Sequence, residues 1–162
     1  MTPIILLDNL AEFIKQKTEN ISLEVRTPPE EKAQRRPAEV HKMRLPKKED
    51  STKRVPYILL QILQGEDTTD DEGGPVSRCK IRIVVGTYSE DQNCGAYDVL
   101  NVILRIRTEL ERVALSLISF CLQKPLEYLI YPDDYAPYYF GEMMTNWTIP
   151  EIKREVEEIW QL

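Results

Sequence analysis

The sequence predicts an α+β fold: a mostly antiparallel β-sheet with a main α-helix packed on one face, plus N- and C-terminal helices. Three observations carry that expectation. Val55–Gln64 is nearly continuous in apolar residues and Val76–Tyr88 alternates, as two strands of one antiparallel hairpin do. Ala96 to about Leu117 repeats its apolar residues at helical spacing. Tyr138–Thr148, flanked by Pro137 and Pro150, reads as a last long strand rich in aromatics. At 162 residues the chain fits one domain, 1–162, long enough to bury a sizeable core.

Taken in order, Leu6, Leu7, Leu10, Phe13 and Ile14 fall on one side of an N-terminal helix, with Asn20 as its stop signal. Ile21–Val25 alternates like a half-buried strand. Residues 26–54 break the pattern, because Pro28, Pro29, Pro37 and Pro46 exclude a continuous helix or central strand. This stretch is expected to be a long projecting arm with one short strand around Val40–Leu45. Val55–Gln64 then begins the hairpin, Gly65–Gly74 is its acidic turn, and Val76–Tyr88 returns. In the returning strand Cys79, Ile81, Ile83 and Val85 make one face and Arg78, Lys80 and Arg82 the other. Ser89–Gly95 is a turn. In the main helix Val99, Ile103, Ile106, Leu110, Val113 and Leu117 form a stripe, widened by Leu100 and Leu104, and Asp98 and Arg112 suit the helix dipole. Phe120–Leu122 and Leu126–Tyr131 read as two strands. Thr148–Glu151 has the form of a capping box opening a short C-terminal helix that carries Ile152, Val156, Ile159 and Trp160.

Charge is segregated along the chain. The formal net charge is −6 and the isoelectric point about 5.0, which argues against a general nucleic-acid binder. Residues 26–54 nevertheless hold ten Lys/Arg against five Asp/Glu, so they carry +5 and the remainder −11. A hydrophobic content of 42% excludes wholesale disorder. The opening residues lack a basic stretch, and Asp8 and Glu12 interrupt their apolar run, so no signal peptide is expected. No stretch approaches the ~18 apolar residues of a membrane helix, so no membrane partner is expected. Cys79, Cys94 and Cys121 are odd in number and without CxxC spacing, and read as buried reduced thiols of a protein made in the cytosol.

No catalytic set stands out, and the expectation is a protein that is not an enzyme and holds no cofactor or metal. His41, the single histidine, lies in the basic arm and reads as a solvated polar residue. Neither a GxSxG elbow nor a phosphate-cradling glycine loop occurs. The acidic run Glu66, Asp67, Asp70, Asp71 and Glu72 does not match the calcium-loop spacing, and reads as a solvated hairpin tip or a docking loop in an assembly. Arg35, Arg36, Lys42, Arg44, Lys47 and Lys48 have the chemistry for loose phosphate contact with duplex DNA or for contact with a neighbouring subunit. The aromatics between Tyr128 and Trp147 read as core and interface residues.

Several of these segments together resemble a known family. They are Val55-Pro56-Tyr57-Ile58-Leu59-Leu60-Gln61, Ile81-Arg82-Ile83-Val84-Val85-Gly86-Thr87-Tyr88, Ala96-Tyr97-Asp98-Val99 through Arg107, and Pro125-Leu126-Glu127 leading into Pro137-Tyr138-Tyr139-Phe140-Gly141-Glu142-Met143. Across roughly Val55–Pro150 the chain resembles phage and prophage head–tail joining proteins of the tail-terminator, or tail-completion, family of long-tailed phages. The resemblance implies a structural virion protein. Family members are expected to form a ring, commonly a hexamer, that caps the tail tube and joins it to the head connector, with duplex DNA passing non-specifically through the channel. It places the protein at the neck of the virion, assembled in the bacterial host cytoplasm, with the tail tube protein and the head-connector protein as partners. It transfers no catalytic residue. The long basic segment before Val55 and the C-terminal helix depart from the smaller terminators. Two other readings come from different classes: a nucleic-acid-handling phage factor using the basic arm, and a metal-dependent hydrolase using the acidic loop.

Overall fold

The computed structural model describes residues 2–47, 55–113, 120–133 and 135–150. Thr2 caps the first helix, α1 (Pro3–Thr18), its hydroxyl accepting from the Ile5 amide at 3.4 Å. Pro3 sits where a missing N–H is harmless. The helix buries Leu6, Leu7, Leu10 and Ile14, with Phe13 half-buried at the border of the stripe, and ends two residues before Asn20.

A two-stranded antiparallel sheet follows, β1 (Leu23–Val25) with β2 (Gln34–Arg36). The main sheet has five strands: β3 (Glu39–Lys42), β4 (Tyr57–Thr69), β5 (Pro75–Tyr88), β6 (Cys121–Ile130) and β7 (Tyr138–Ile149). Their spatial order is β3-β4-β5-β7-β6. Every pairing is antiparallel except β3 with β4, so the expected α+β class, with a mostly antiparallel sheet, is the observed one. The second helix, α2 (Gly95–Val113), lies on one face.

The main core fills the space between that face and the two helices. Ile58 and Leu60 of β4, Ile81, Ile83 and Val85 of β5, and Met143 and Trp147 of β7 meet Val99, Ile103, Ile106 and Leu110 of α2. Val102 is fully buried too, whereas Leu100 and Leu104 are only half-buried. The stripe is thus widened by Val102, because α2 packs against α1 as well as the sheet. Arg105 ties the helices together by donating to the Lys17 carbonyl and to Asn20 Oδ1. Two glycines permit this packing. A Cβ on Gly141 would sit 2.8 Å from Val99 Cγ1 and 2.9 Å from Ile103 Cδ1, and one on Gly95 would run into the Tyr139 ring.

On the opposite face a smaller cluster of Val55, Tyr57, Leu59, Val84 and Tyr88 is flanked by Leu45, Tyr138 and Phe140. Beyond it that face is mostly polar, carrying Arg78, Lys80, Arg82, Glu142 and Asn146, and no helix of the described residues covers it.

Six expectations are corrected. The segment expected to project is folded in its described part: β2 pairs with β1, and β3 lies along β4. The expected strand around Val40–Leu45 starts earlier and ends at Lys42, because Met43 turns the chain away at a φ of 65°. The acidic turn is shorter than Gly65–Gly74, since β4 runs on to Thr69 and puts Glu66 and Asp67 in strand. The two pieces Phe120–Leu122 and Leu126–Tyr131 belong to one edge strand, whose register shifts between Gln123 and Glu127 around Pro125. Of the three thiols expected to be buried, only Cys79 is; Cys94 and Cys121 are exposed, and all three are free. Thr148 and Ile149, expected to open a helix, belong to β7 instead, and Glu151 of the expected capping box lies outside the described residues. The C-terminal helix expected beyond it lies outside the described residues, as do Leu117 and Lys48.

Candidate functional site

The basic residues of 26–47 are mostly spent within the chain. Arg26 donates to the Tyr138 hydroxyl at 2.5 Å. Arg35 is held by the Ser22 carbonyl at 2.8 Å and the Ser22 hydroxyl at 3.3 Å. Arg36 donates to the carbonyls of Pro37, Pro56 and Val55 at 3.1, 3.1 and 3.3 Å, and lies 3.7 Å from Glu39. Lys42 meets Asp8 of α1 at 2.5 Å, and His41 lies 3.3 Å from Glu39. These contacts staple the segment onto α1 and onto the chain entering β4. Arg44 and Lys47 are different: both are exposed, and neither has a described partner. The five described candidates, Arg35, Arg36, Lys42, Arg44 and Lys47, therefore do not act as one patch.

The acidic candidates divide in the same way. Glu66 and Asp67 stand opposite Arg78 and Ser77 in the β4–β5 ladder. Asp70 closes the turn, its Oδ1 accepting from the amides of Gly74 at 2.7 Å and Glu72 at 3.0 Å, while its own amide donates to the Gly74 carbonyl at 2.8 Å. Gly73 supplies the positive φ of 83° that the turn needs. Asp71 and Glu72 are left exposed at the tip of an internally bonded turn, with no described cation beside them.

The sequence reading missed the surface next to this turn. Across the uncovered face of β4, β5, β7 and β6 runs a groove of about 530 Å³. Arg78 and Lys80 rise from β5 at its middle, Gln64 and Glu66 line one side, and Gln123, Lys124 and Glu127 the other. Lys124 reaches Glu111 of α2, whose carboxylate it holds below the usual range. Arg78 and Lys80 have no described partner, although Glu66 faces Arg78 across the ladder. The signal was present in the outward phase of Arg78, Lys80 and Arg82. What separates them is pairing: Arg82 donates to Glu142 at 2.5 Å and to the Tyr131 hydroxyl at 2.8 Å, forming a closed triad beside the second cluster.

Both outer edges of the sheet are partly open. β3 covers β4 only over Tyr57–Leu60, so from Leu63 onward β4 has no outer strand partner among the described residues. A register shift between Ile62 and Gln64 leaves Leu63 exposed there. β6 is the other edge, and it exposes Tyr128 and Leu129.

Among the described residues no cluster of three or more His, Cys, Asp or Glu is arranged to hold a metal ion, and no helix is long and apolar enough to cross a membrane. Compared with known proteins, the chain matches no protein-family model and no curated protein sequence.

Proposed function

We propose that the chain is a structural virion protein, a ring-forming tail terminator or head–tail connector component that caps the tail tube and joins it to the head. The sequence resemblance over Val55–Pro150 supports this reading, and so does the distribution of contact surface. The observation that carries it is the sheet: two partly open edges and one uncovered polar face, on which unpaired cations sit beside an acidic turn. A ring subunit must present two different surfaces to its two neighbours, and open edges and opposed charges supply them. The ring is a hexamer by resemblance, with the tail tube protein and head-connector protein on its two sides and duplex DNA passing through it. The protein has no catalytic role and no cofactor in this reading. A mostly acidic body suits a conduit that must not grip DNA.

The test has two parts. The purified protein, examined by light scattering at high concentration and then by electron microscopy, should form closed rings without DNA. A phage lacking the gene should leave heads and tails unjoined, or tails of abnormal length, and complementation should restore joined particles. Normal infectious particles without the gene would overturn the neck assignment. Arg44 and Lys47, exposed and without described partners, favour a second reading, a nucleic-acid-handling factor. Such a protein would stay small without DNA, would bind it with steep salt dependence, and would lose that binding on Arg44→Glu with Lys47→Glu.

A further inference from the structure

We infer that the acidic β4–β5 turn of one copy seats in the Arg78–Lys80 groove of a second copy; the inference rests on the assembly reading above and names the surfaces that meet. Shape argues first. The groove is concave, and the turn is a compact convex tip stiffened by the Asp70 carboxylate. Charge argues second. The chain is −6 overall, and outside residues 26–54 several described cations are spent: Lys17 and Arg112 on Glu109, Arg82 on Glu142, Lys124 on Glu111. Arg78 and Lys80 are adjacent on one strand face and are not. Asp71 and Glu72, exposed at the turn tip, are anions with no described cation partner. Donor chemistry argues third, since Gln64 and Gln123 line the groove and their side-chain amides suit carboxylates. Glu66 and Glu127 lie at its sides, so the seat is mixed in charge, and an anion is drawn to its middle. Arg78 lies three ladder pairs back from Thr69↔Pro75, roughly 10 Å at strand spacing. Tip and seat are thus separate surfaces of one hairpin, so a copy whose tip is seated in one neighbour still offers its groove to another. Because every copy carries both, the contact repeats through an assembly without any further component.

The experiment is a charge swap on the full chain. One variant carries Asp71→Lys and Glu72→Lys, and a second carries Arg78→Glu and Lys80→Glu. All four positions lie on or near the surface, so circular dichroism should report the native fold in both. Each variant alone should associate at least about tenfold more weakly than the parent in sedimentation or light scattering, because like charges now face each other. An equimolar mixture of the two, and the chain carrying all four substitutions, should regain association, since opposite charges again meet at every contact. Weakened association that neither the mixture nor the fourfold variant restores would overturn the inference. So would a parent protein that assembles while both variants assemble equally well, and in that case the ring reading stands. Unchanged assembly with lost retention of a duplex DNA fragment by the Arg78→Glu, Lys80→Glu variant would assign the groove to nucleic acid instead. A parent protein that stays monomeric at every concentration overturns the assembly reading and this contact together.

Discussion

Single residues in this chain take their meaning from partners far away in sequence. Arg36 is a basic-arm residue by composition, yet its guanidinium is occupied by three backbone carbonyls, two of them about twenty positions on. Gly141 sits in an aromatic segment where any residue fits the strand, and only the approach of Val99 and Ile103 explains why a side chain is excluded. Cys94 shows how a neighbour tunes an exposed thiol. Its hydrogen bond to Asp91 and the charge of that carboxylate raise its pKa, because both favour the protonated form. A raised thiol pKa means less thiolate at neutral pH, so Cys94 should be alkylated more slowly than an ordinary exposed cysteine, with its rate still climbing above the usual thiol range. Asp91→Asn removes the charge but keeps the Oδ1 that accepts from the Asn93 amide at 3.0 Å. Alkylation of Cys94 followed by mass spectrometry should therefore become several-fold faster in that variant. An unchanged rate would show that Asp91 does not control the thiol.

At the scale of elements, legibility followed the length and regularity of the pattern. α1, α2 and the β4–β5 hairpin announce themselves because each repeats its apolar spacing over several turns or pairs. Ile103 is fully buried between helix and sheet, and Ile103→Ala should cost on the order of 2–5 kcal/mol in chemical denaturation. A loss below about 0.5 kcal/mol, the scale of a surface change, would mean that this face of α2 does not carry the core. β3 was much harder to place. It has four residues between Pro37 and Pro46, and its alternation of Val40 and Lys42 toward α1 with Glu39 and His41 away is too short to separate from loop. β6 was split by Pro125, which reads as a strand breaker until its edge position is known. The candidate surface divides likewise. The acidic turn is visible as a local cluster, and the outward phase of Arg78 and Lys80 is visible as alternation. That these two are unpaired while Arg82 is paired depends on where Glu142 and Tyr131 come to rest, which no local pattern encodes.

For the whole molecule, the sheet order explains why residues 26–47 are not a free arm. β3 pairs with β4, the Met43 amide donates to the Leu60 carbonyl at 2.7 Å, and Lys42 reaches α1, so this part closes one side of the core. Amide exchange should divide the segment: slow at β3 and Met43, fast at residues 28–33, which lie between β1 and β2 without strand pairing. Uniformly fast exchange across 28–47 would show that β3 does not stay docked. The same order has a consequence for how the protein is made. β7 follows every other strand in sequence but lies inside the sheet, between β5 and β6, and pairs with β5 from Ser77 to Tyr88. On a ribosome that has not yet released residues 138–149, the hairpin β4–β5 is complete on one side only, and β6 has no strand to lie against. The nascent chain thus carries the bare apolar edge of β5 until translation has passed its last described strand, so a stalled or prematurely terminated product is a client for chaperones and proteases rather than a smaller working subunit.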